Sequence, residues 1–306
     1  MGTRFRIVLY AVDEESATTA ARDAFDRVDA LNGILSHYDR DSELRELCRS
    51  AGKGEYVGVS DELWFVLKRS IDLSRQTDGA FDVTVGPLVR LWHHSKVRGK
   101  LPTNERLASA KATMGFEFVR LDPREQSVEL VRAKMMLDMG AIAKGYVADE
   151  ALATLNQHRI TSALIDAGGD LVLGDAPPGR DGWRIGIAPL DANAPPSRFL
   201  IVSNVAIATS GDAFQHVVID GKRYSHIINP RTGLGLSDQS SVTVIARDGI
   251  TADALASAVS VLGPVKGSKL VDNTPGAAAH IVRAPGGRVE QFESRRFGQL
   301  KVVAAP

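Results

Sequence analysis

Asp253 and Ser257 stand four residues apart in Thr251-Ala252-Asp253-Ala254-Leu255-Ala256-Ser257, so on a helix they project from one face. A carboxylate and a hydroxyl placed together suit a hard cation such as Mg²⁺, which takes oxygen ligands and keeps substrate phosphate in its shell. An acidic residue in a first helical turn also serves the helix dipole, and Leu255, Ala258, Val259 and Leu262 read as core on the same segment. A second stretch, Leu137-Asp138-Met139-Gly140-Ala141-Ile142-Ala143-Lys144-Gly145-Tyr146, reads as a strand turning into a helix with Lys144 at its start. Free N–H groups and the positive dipole end favour phosphate there, and an anionic partner accounts for a lysine that opposes the dipole; a solvated lysine is the plain alternative. A third, Tyr224-Ser225-His226-Ile227-Ile228-Asn229-Pro230-Arg231-Thr232-Gly233, places His226 in a strand ending at Pro230. The side chain is a general base only if its neighbours make it one.

Three further clusters carry turn chemistry. Thr77-Asp78-Gly79-Ala80-Phe81-Asp82, followed by Val85-Gly86-Pro87-Leu88, sets a carboxylate beside glycine turns and also reads as a structural loop. Ala167-Gly168-Gly169-Asp170 and Ala208-Thr209-Ser210-Gly211-Asp212 lie at strand ends and are ambiguous alone. Of the seven histidines, His37, His93, His94, His158, His216 and His280 have weaker surroundings than His226. The single cysteine, Cys48, excludes an intrachain disulfide and a thiolate zinc cluster, and reads as a buried structural thiol on a helix.

Several classes lose ground. There is no G-x-x-x-x-G-K-S/T, no complete G-x-G-x-x-G, no H-E-x-x-H and no G-x-S-x-G. Lys plus Arg and Asp plus Glu each number 37, so the zero net charge offers no reason to expect nucleic acid or an anionic membrane surface. No run approaches the roughly 20 apolar residues of a membrane helix. Met1 to Tyr10 reads as a strand and lacks the order of a signal peptide. The expectation is a cytoplasmic protein or one whose targeting segment precedes this numbering.

The elements that must position these residues follow from hydrophobic spacing. Thr3–Tyr10 predicts an opening strand, and Glu14–Leu35 a long helix with Ala21, Phe25, Val28, Leu31 and Leu35 inward. Ser60 is a candidate N-cap for a helix to Gln76 with Leu63, Leu67 and Ile71 inward. Strands are predicted at Phe118–Leu121, Ser127–Leu130, Met135–Asp138, Ser162–Ile165, Asp170–Leu173, Trp183–Ile187, Phe199–Ser203, Ala206–Ala208 and Val242–Ala246. A hairpin centres on Gly221, helices span Lys144–Asn156 and Thr251–Leu262, and a strand pair lies near His280–Arg283 and Val289–Phe292. Strands in runs and hairpins between a few long helices favour an α+β fold. No convincing boundary appears, so one domain over residues 1–306 is expected.

Taken together and in order, the clusters resemble the ApbE-like family of FAD:protein FMN transferases. The matching phrases are Met1–Thr3, Leu35–Leu44, Thr77–Asp82, Gly86–Val89, Asp138–Tyr146, Ala167–Asp170, Thr209–Asp212, His226–Gly233 and Ala252–Ser257. The resemblance implies an α+β fold with FAD in a cleft between two subdomains. It implies that FAD is split at its diphosphate, AMP leaves, and FMN joins a threonine of a target flavoprotein. Mapped by motif, Met1, Tyr38, Ala80, Phe81, Asp82, Asp138 and Lys144 line the FAD site, with Tyr38 stacking on the isoalloxazine. The Ala141 carbonyl, Asp253 and Ser257 hold Mg²⁺, and His226 takes the proton of the attacking threonine. Ser257 departs from the family's frequent Thr but keeps the hydroxyl. Family members are often exported or lipid-anchored, which suggests an extracytoplasmic or membrane-anchored location. An FAD pyrophosphatase using water as acceptor, and a flavin-binding protein without turnover, are the competing readings.

Overall fold

A computed structural model of the chain describes residues 2–191, 193–211 and 216–305. Met1 and Asp212 of the motifs above lie outside the described residues. In chain order the elements are β1 (Phe5–Leu9), α1 (Glu14–Leu35), α2 (Glu43–Arg49), β2 (Val57–Gly58), α3 (Asp61–Gln76), α4 (Gly86–Arg98) and α5 (Asn104–Lys111). Next come β3 (Val119–Asp122), β4 (Ser127–Leu130), α6 (Ala143–Gln157), β5 (Ala163–Ala167), β6 (Asp170–Leu173), β7 (Trp183–Gly186), β8 (Arg198–Val202) and β9 (Val205–Gly211). The chain closes with β10 (His216–Ile219), β11 (Lys222–Ser225), β12 (Ser240–Ala246), α7 (Gly249–Asn273), β13 (Ala278–Arg283), β14 (Glu290–Glu293) and β15 (Val302–Ala304). The architecture is α+β with antiparallel sheets, as the spacing predicts.

The chain divides into two compact units, interleaved in sequence. Of the described residues, one comprises Leu31–Ala141 and 216–238; the other comprises Gly2–Ala30, 142–191, 193–211 and 239–305. In the second unit a seven-stranded sheet runs β1-β5-β6-β9-β12-β13-β14, every pair antiparallel. Helices α6 and α7 pack on it, chiefly against β5, β6, β9 and β12. Leu164, Leu173, Ile207 and Ile245 form a separate apolar layer with Trp183, Leu200 and Phe297, which belong to or adjoin the small sheet β15-β8-β7. Strand β12 is therefore buried along nearly its whole length, since a strand covered on both faces loses the polar half of the two-residue alternation.

The first unit holds helices α2 to α5, the sheet β2-β4-β3 and the ribbon β10-β11. Ser60 caps α3 by accepting the Leu63 N–H at 3.3 Å. The ribbon turns through Asp220 and Gly221 at φ 50° and 72°, the paired left-handed backbone that a two-residue hairpin turn requires. Its Ile219 and Tyr224 pack with Leu88, Trp92 and Met114.

Four sequence expectations change. Phe25 is 39% exposed, and the inward stripe of α1 is Ala20, Ala24, Val28, Leu31 and Leu35. Met135–Asp138 forms no strand although Met135 and Leu137 are buried; Asp138 donates its N–H to the Val83 carbonyl at 2.7 Å in place of a ladder. His226 lies in a bend just after β11 ends at Ser225. Asp253 lies in the second turn of α7, because Asp248 caps that helix from before Gly249. No described helix is long and apolar enough to cross a membrane.

Candidate functional site

In the second unit the site is built on the meeting of two helix N-termini. A Cβ at Gly145 of α6 would stand 2.0 Å from the Gly249 carbonyl oxygen, and one at Gly249 would stand 2.4 Å from that of Gly145. Only glycine permits backbones this close. Each helix then caps the other. Asp149 of α6 accepts the Gly249 and Ile250 N–H groups at 2.6 and 2.9 Å. Asp253 of α7 accepts the Gly145 N–H at 3.2 Å, and α6 has no side-chain cap of its own at Ile142. These bonds satisfy donors that helix starts otherwise leave open.

Lys144 lies at the centre of this crossing. Its ammonium pairs closely with Asp170, at the head of β6, and stands 3.6 Å from Asp253. Both carboxylate side chains are more than nine-tenths buried, against 27% exposure for Lys144. Burial pushes the Asp253 carboxyl above the ordinary carboxylate range, opposed by the Lys144 charge and the Gly145 N–H. Ser257 follows one turn later on α7, half-buried. Among the described residues its hydroxyl makes no hydrogen bond to protein, whereas that of Ser260 donates to the Ala256 carbonyl at 2.9 Å.

In the first unit the Ser36–Ser42 loop presents the ring pair. Ser42 Oγ donates to the Ser36 carbonyl at 2.6 Å and accepts the Arg45 N–H, starting α2. The His37 and Tyr38 rings lie tilted by 40° with centroids 3.8 Å apart, and Tyr38 stays 62% exposed. His37 Nδ1 lies 3.3 Å from Asp138 Oδ1, which also accepts the Gly140 N–H at 2.8 Å. Burial pushes the His37 imidazole down, opposed by Asp138. Ala80, Phe81 and Asp82 are buried. Asp82 Oδ1 accepts the Thr84 N–H and hydroxyl at 2.8 and 2.7 Å, so this carboxylate shapes the turn leading to α4. Cys48 Sγ accepts the Leu137 N–H at 3.3 Å, and burial pushes its thiol up, as an inert structural thiol requires.

His226 is exposed. Its loop is anchored by the Ile228–Gly235 bridge and by Arg231, which donates to the Asp78 carboxylate at 2.6 Å and the Asp78 carbonyl at 3.0 Å. Lys111 Nζ adds a bond to the Arg231 carbonyl at 2.5 Å. The His226 loop and the Thr77–Asp82 turn are thus tied within one unit. Tyr38, Ala80, Phe81, Asp82, Asp138, Ala141 and His226 belong to this first unit, and Lys144, Asp253 and Ser257 to the second.

The ApbE family model matches residues 1–281. The chain belongs to the ApbE family. It is 33% identical to the FAD:protein FMN transferase of Treponema pallidum over 95% of this chain and 86% of that protein. It is 29% identical to the one from Haemophilus influenzae over 96% and 88%. Among solved structures, the flavin transferase ApbE from Vibrio cholerae aligns with a TM-score of 0.85 at 28% identity, covering 98% of this chain and 96% of that one. The ApbE protein of Thermotoga maritima aligns at 0.85 and 31%, covering 97% and 96%.

For this ApbE-family chain the donors suit a hard cation. Two buried carboxylates share one ammonium, an excess of negative charge that a low-dielectric pocket disfavours unless a proton or a cation joins. Among the described residues no group of three or more His, Cys, Asp or Glu is arranged to hold a metal. The donor set is a carboxylate and a hydroxyl, and Mg²⁺ binds by few carboxylates completed by water and phosphate. Asp170, Asp149 and His37 are the contacts that spacing missed. Asp170 was visible as the end of Ala-Gly-Gly-Asp but only the sheet brings it to Lys144.

Proposed function

We propose that this chain transfers the FMN portion of FAD to a threonine hydroxyl of a partner flavoprotein, with Mg²⁺ bound and AMP released. The observation that carries the reading is the Lys144–Asp170–Asp253 cluster at the α6 N-terminus, whose own N-cap Ile142 supplies no side-chain bond, in a chain whose relatives are FAD:protein FMN transferases. FMN transfer from FAD to a protein is the activity of the family to which the fold and sequence belong. The threonine acceptor, the metal and the residue roles are our assignment, as is the use of residues 1–306 as one catalytic domain.

Attack on a diphosphate calls for positioning and charge neutralisation more than covalent help from protein. The threonine oxygen forms a bond to the FMN phosphorus as the bond to the AMP oxygen breaks. His226, exposed at the end of the hairpin, accepts the threonine proton near neutral pH. Lys144 and the α6 N-terminus hold the diphosphate, Tyr38 offers its exposed ring to the isoalloxazine, and Met1, Ala80, Phe81, Asp82 and Asp138 complete the FAD contacts. Asp253, Ser257 and the Ala141 carbonyl would hold Mg²⁺, whose charge would offset that developing on the departing AMP.

The test compares His226→Ala and Asp253→Ala with the parent. His226→Ala should bind FAD normally and lose transfer; Asp253→Ala should lose its response to added Mg²⁺. Unchanged transfer in both variants removes the site assignment. AMP release without flavin on the acceptor would favour hydrolysis of FAD by water.

A further inference from the structure

Lys144 cannot serve two carboxylates equally, and the geometry is unequal. Its ammonium is bound closely to Asp170 and is 3.6 Å from Asp253 Oδ1. Asp253 Oδ2 is engaged by the Gly145 N–H, which leaves Oδ1 as the oxygen turned to Lys144. We propose that Asp170 is a positioning residue that draws Lys144 off Asp253 and so keeps Asp253 Oδ1 open to the divalent cation. This rests on Asp253 being a metal ligand, as argued above.

The physical case is competition. An ammonium in direct hydrogen-bond contact with a carboxylate repels an incoming cation and occupies the lone pairs it needs, whereas at 3.6 Å it does so less. With the side chain of Asp170 only 8% exposed, its charge is little screened by water and gives Lys144 a strong alternative partner. Asp170 is the first residue of β6, pairs with Ala167 in the sheet, and cannot follow Lys144 if the latter moves. Gly168 and Gly169, at φ 70° and 100°, make the tight turn that sets this residue at the strand head. A Cβ at Gly168 would lie 1.9 Å from Thr3 Oγ1, so the turn is held in place. Without Asp170 the ammonium closes on Asp253, the remaining buried anion within its reach.

Calorimetric titration of the full-length protein with Mg²⁺ alone, without FAD, tests this. Asp253→Asn should abolish the binding. Asp170→Asn should weaken it about tenfold, the effect of roughly 1.4 kcal/mol. Adding Lys144→Met to Asp170→Asn should restore affinity to at least the parent value, because the competing charge is gone. Lys144→Met alone should bind Mg²⁺ more tightly than the parent, and it decides the matter if Asp170→Asn does not fold. Parent-like affinity in Asp170→Asn, or a double variant no tighter than Asp170→Asn, would overturn the proposal; the latter would fit Asp170 as itself a ligand. Full Mg²⁺ binding by Asp253→Asn would instead remove the metal assignment on which the proposal stands.

Discussion

Replacing Gly145 with alanine sets two effects against each other, and their sizes decide the outcome. Gly145 is the third residue of α6, so the change gains at most the about 1 kcal/mol of propensity seen in a helix interior. The new Cβ, however, would stand 2.0 Å from the Gly249 oxygen, 2.3 Å from its carbon and 2.8 Å from the Ile250 nitrogen. All three are backbone atoms that no rotamer change can move aside, so α6 and α7 must part. Overpacking of this kind costs about 1–3 kcal/mol. Parting also stretches the Asp149 and Asp253 caps, each worth about 1 kcal/mol. The net expectation is a loss of about 2–4 kcal/mol, read as a lower urea midpoint at unchanged slope. Weaker Mg²⁺ binding should accompany it, since Lys144 and Asp253 no longer keep their spacing. A Gly145→Ala protein as stable as the parent would refute the idea that this close crossing builds the site.

Asp149 gives a pH test. Burial raises its carboxyl to about 7, opposed by the Gly249 and Ile250 N–H bonds. The folded state therefore holds the proton more tightly than the unfolded chain, whose value is near 3.8, and stability falls as pH rises from about 4 through about 7. Denaturation of Asp149→Asn across that window should show a flatter profile than the parent; parallel profiles would contradict the assignment. Arg231→Ala should cost under about 1 kcal/mol in stability, because Arg231 and Asp78 are 54% and 95% exposed. It should nevertheless slow transfer on the order of tenfold by freeing the His226 loop, with FAD affinity nearly unchanged; an unaltered rate would show that the anchor is unimportant.

Local signals were readable in the sequence where one residue's chemistry fixed the outcome. The apolar spacing and acidic start of α1 gave its two ends, Glu14 and Leu35, and the Ser60 hydroxyl gave the start of α3. Strands β4 and β6 were bounded correctly by their apolar runs. Failures came where distant packing decided. Met135–Asp138 has the composition of a strand, but its backbone is held by Val83 and Cys48 instead of a neighbouring strand. Helix α4, with His93 and His94, was missed, because its opening Gly-Pro and mixed polarity look like loop; Gly86 is needed where a Cβ would meet the Met136 oxygen at 2.5 Å. His37 looked weak until Asp138, about a hundred residues on, came to 3.3 Å. The pair proposed to hold the cation, Asp253 and Ser257, is visible as an i, i+4 pattern, while Asp170 reaches Lys144 only through the sheet.

The most direct test of the central claim is the intact mass of a threonine-bearing flavoprotein acceptor incubated with this protein, FAD and Mg²⁺. The account predicts a gain equal to one FMN, absent with a chelator, absent with His226→Ala, and located on a threonine. An acceptor of unchanged mass alongside steady AMP release would contradict transfer and leave FAD hydrolysis as the activity.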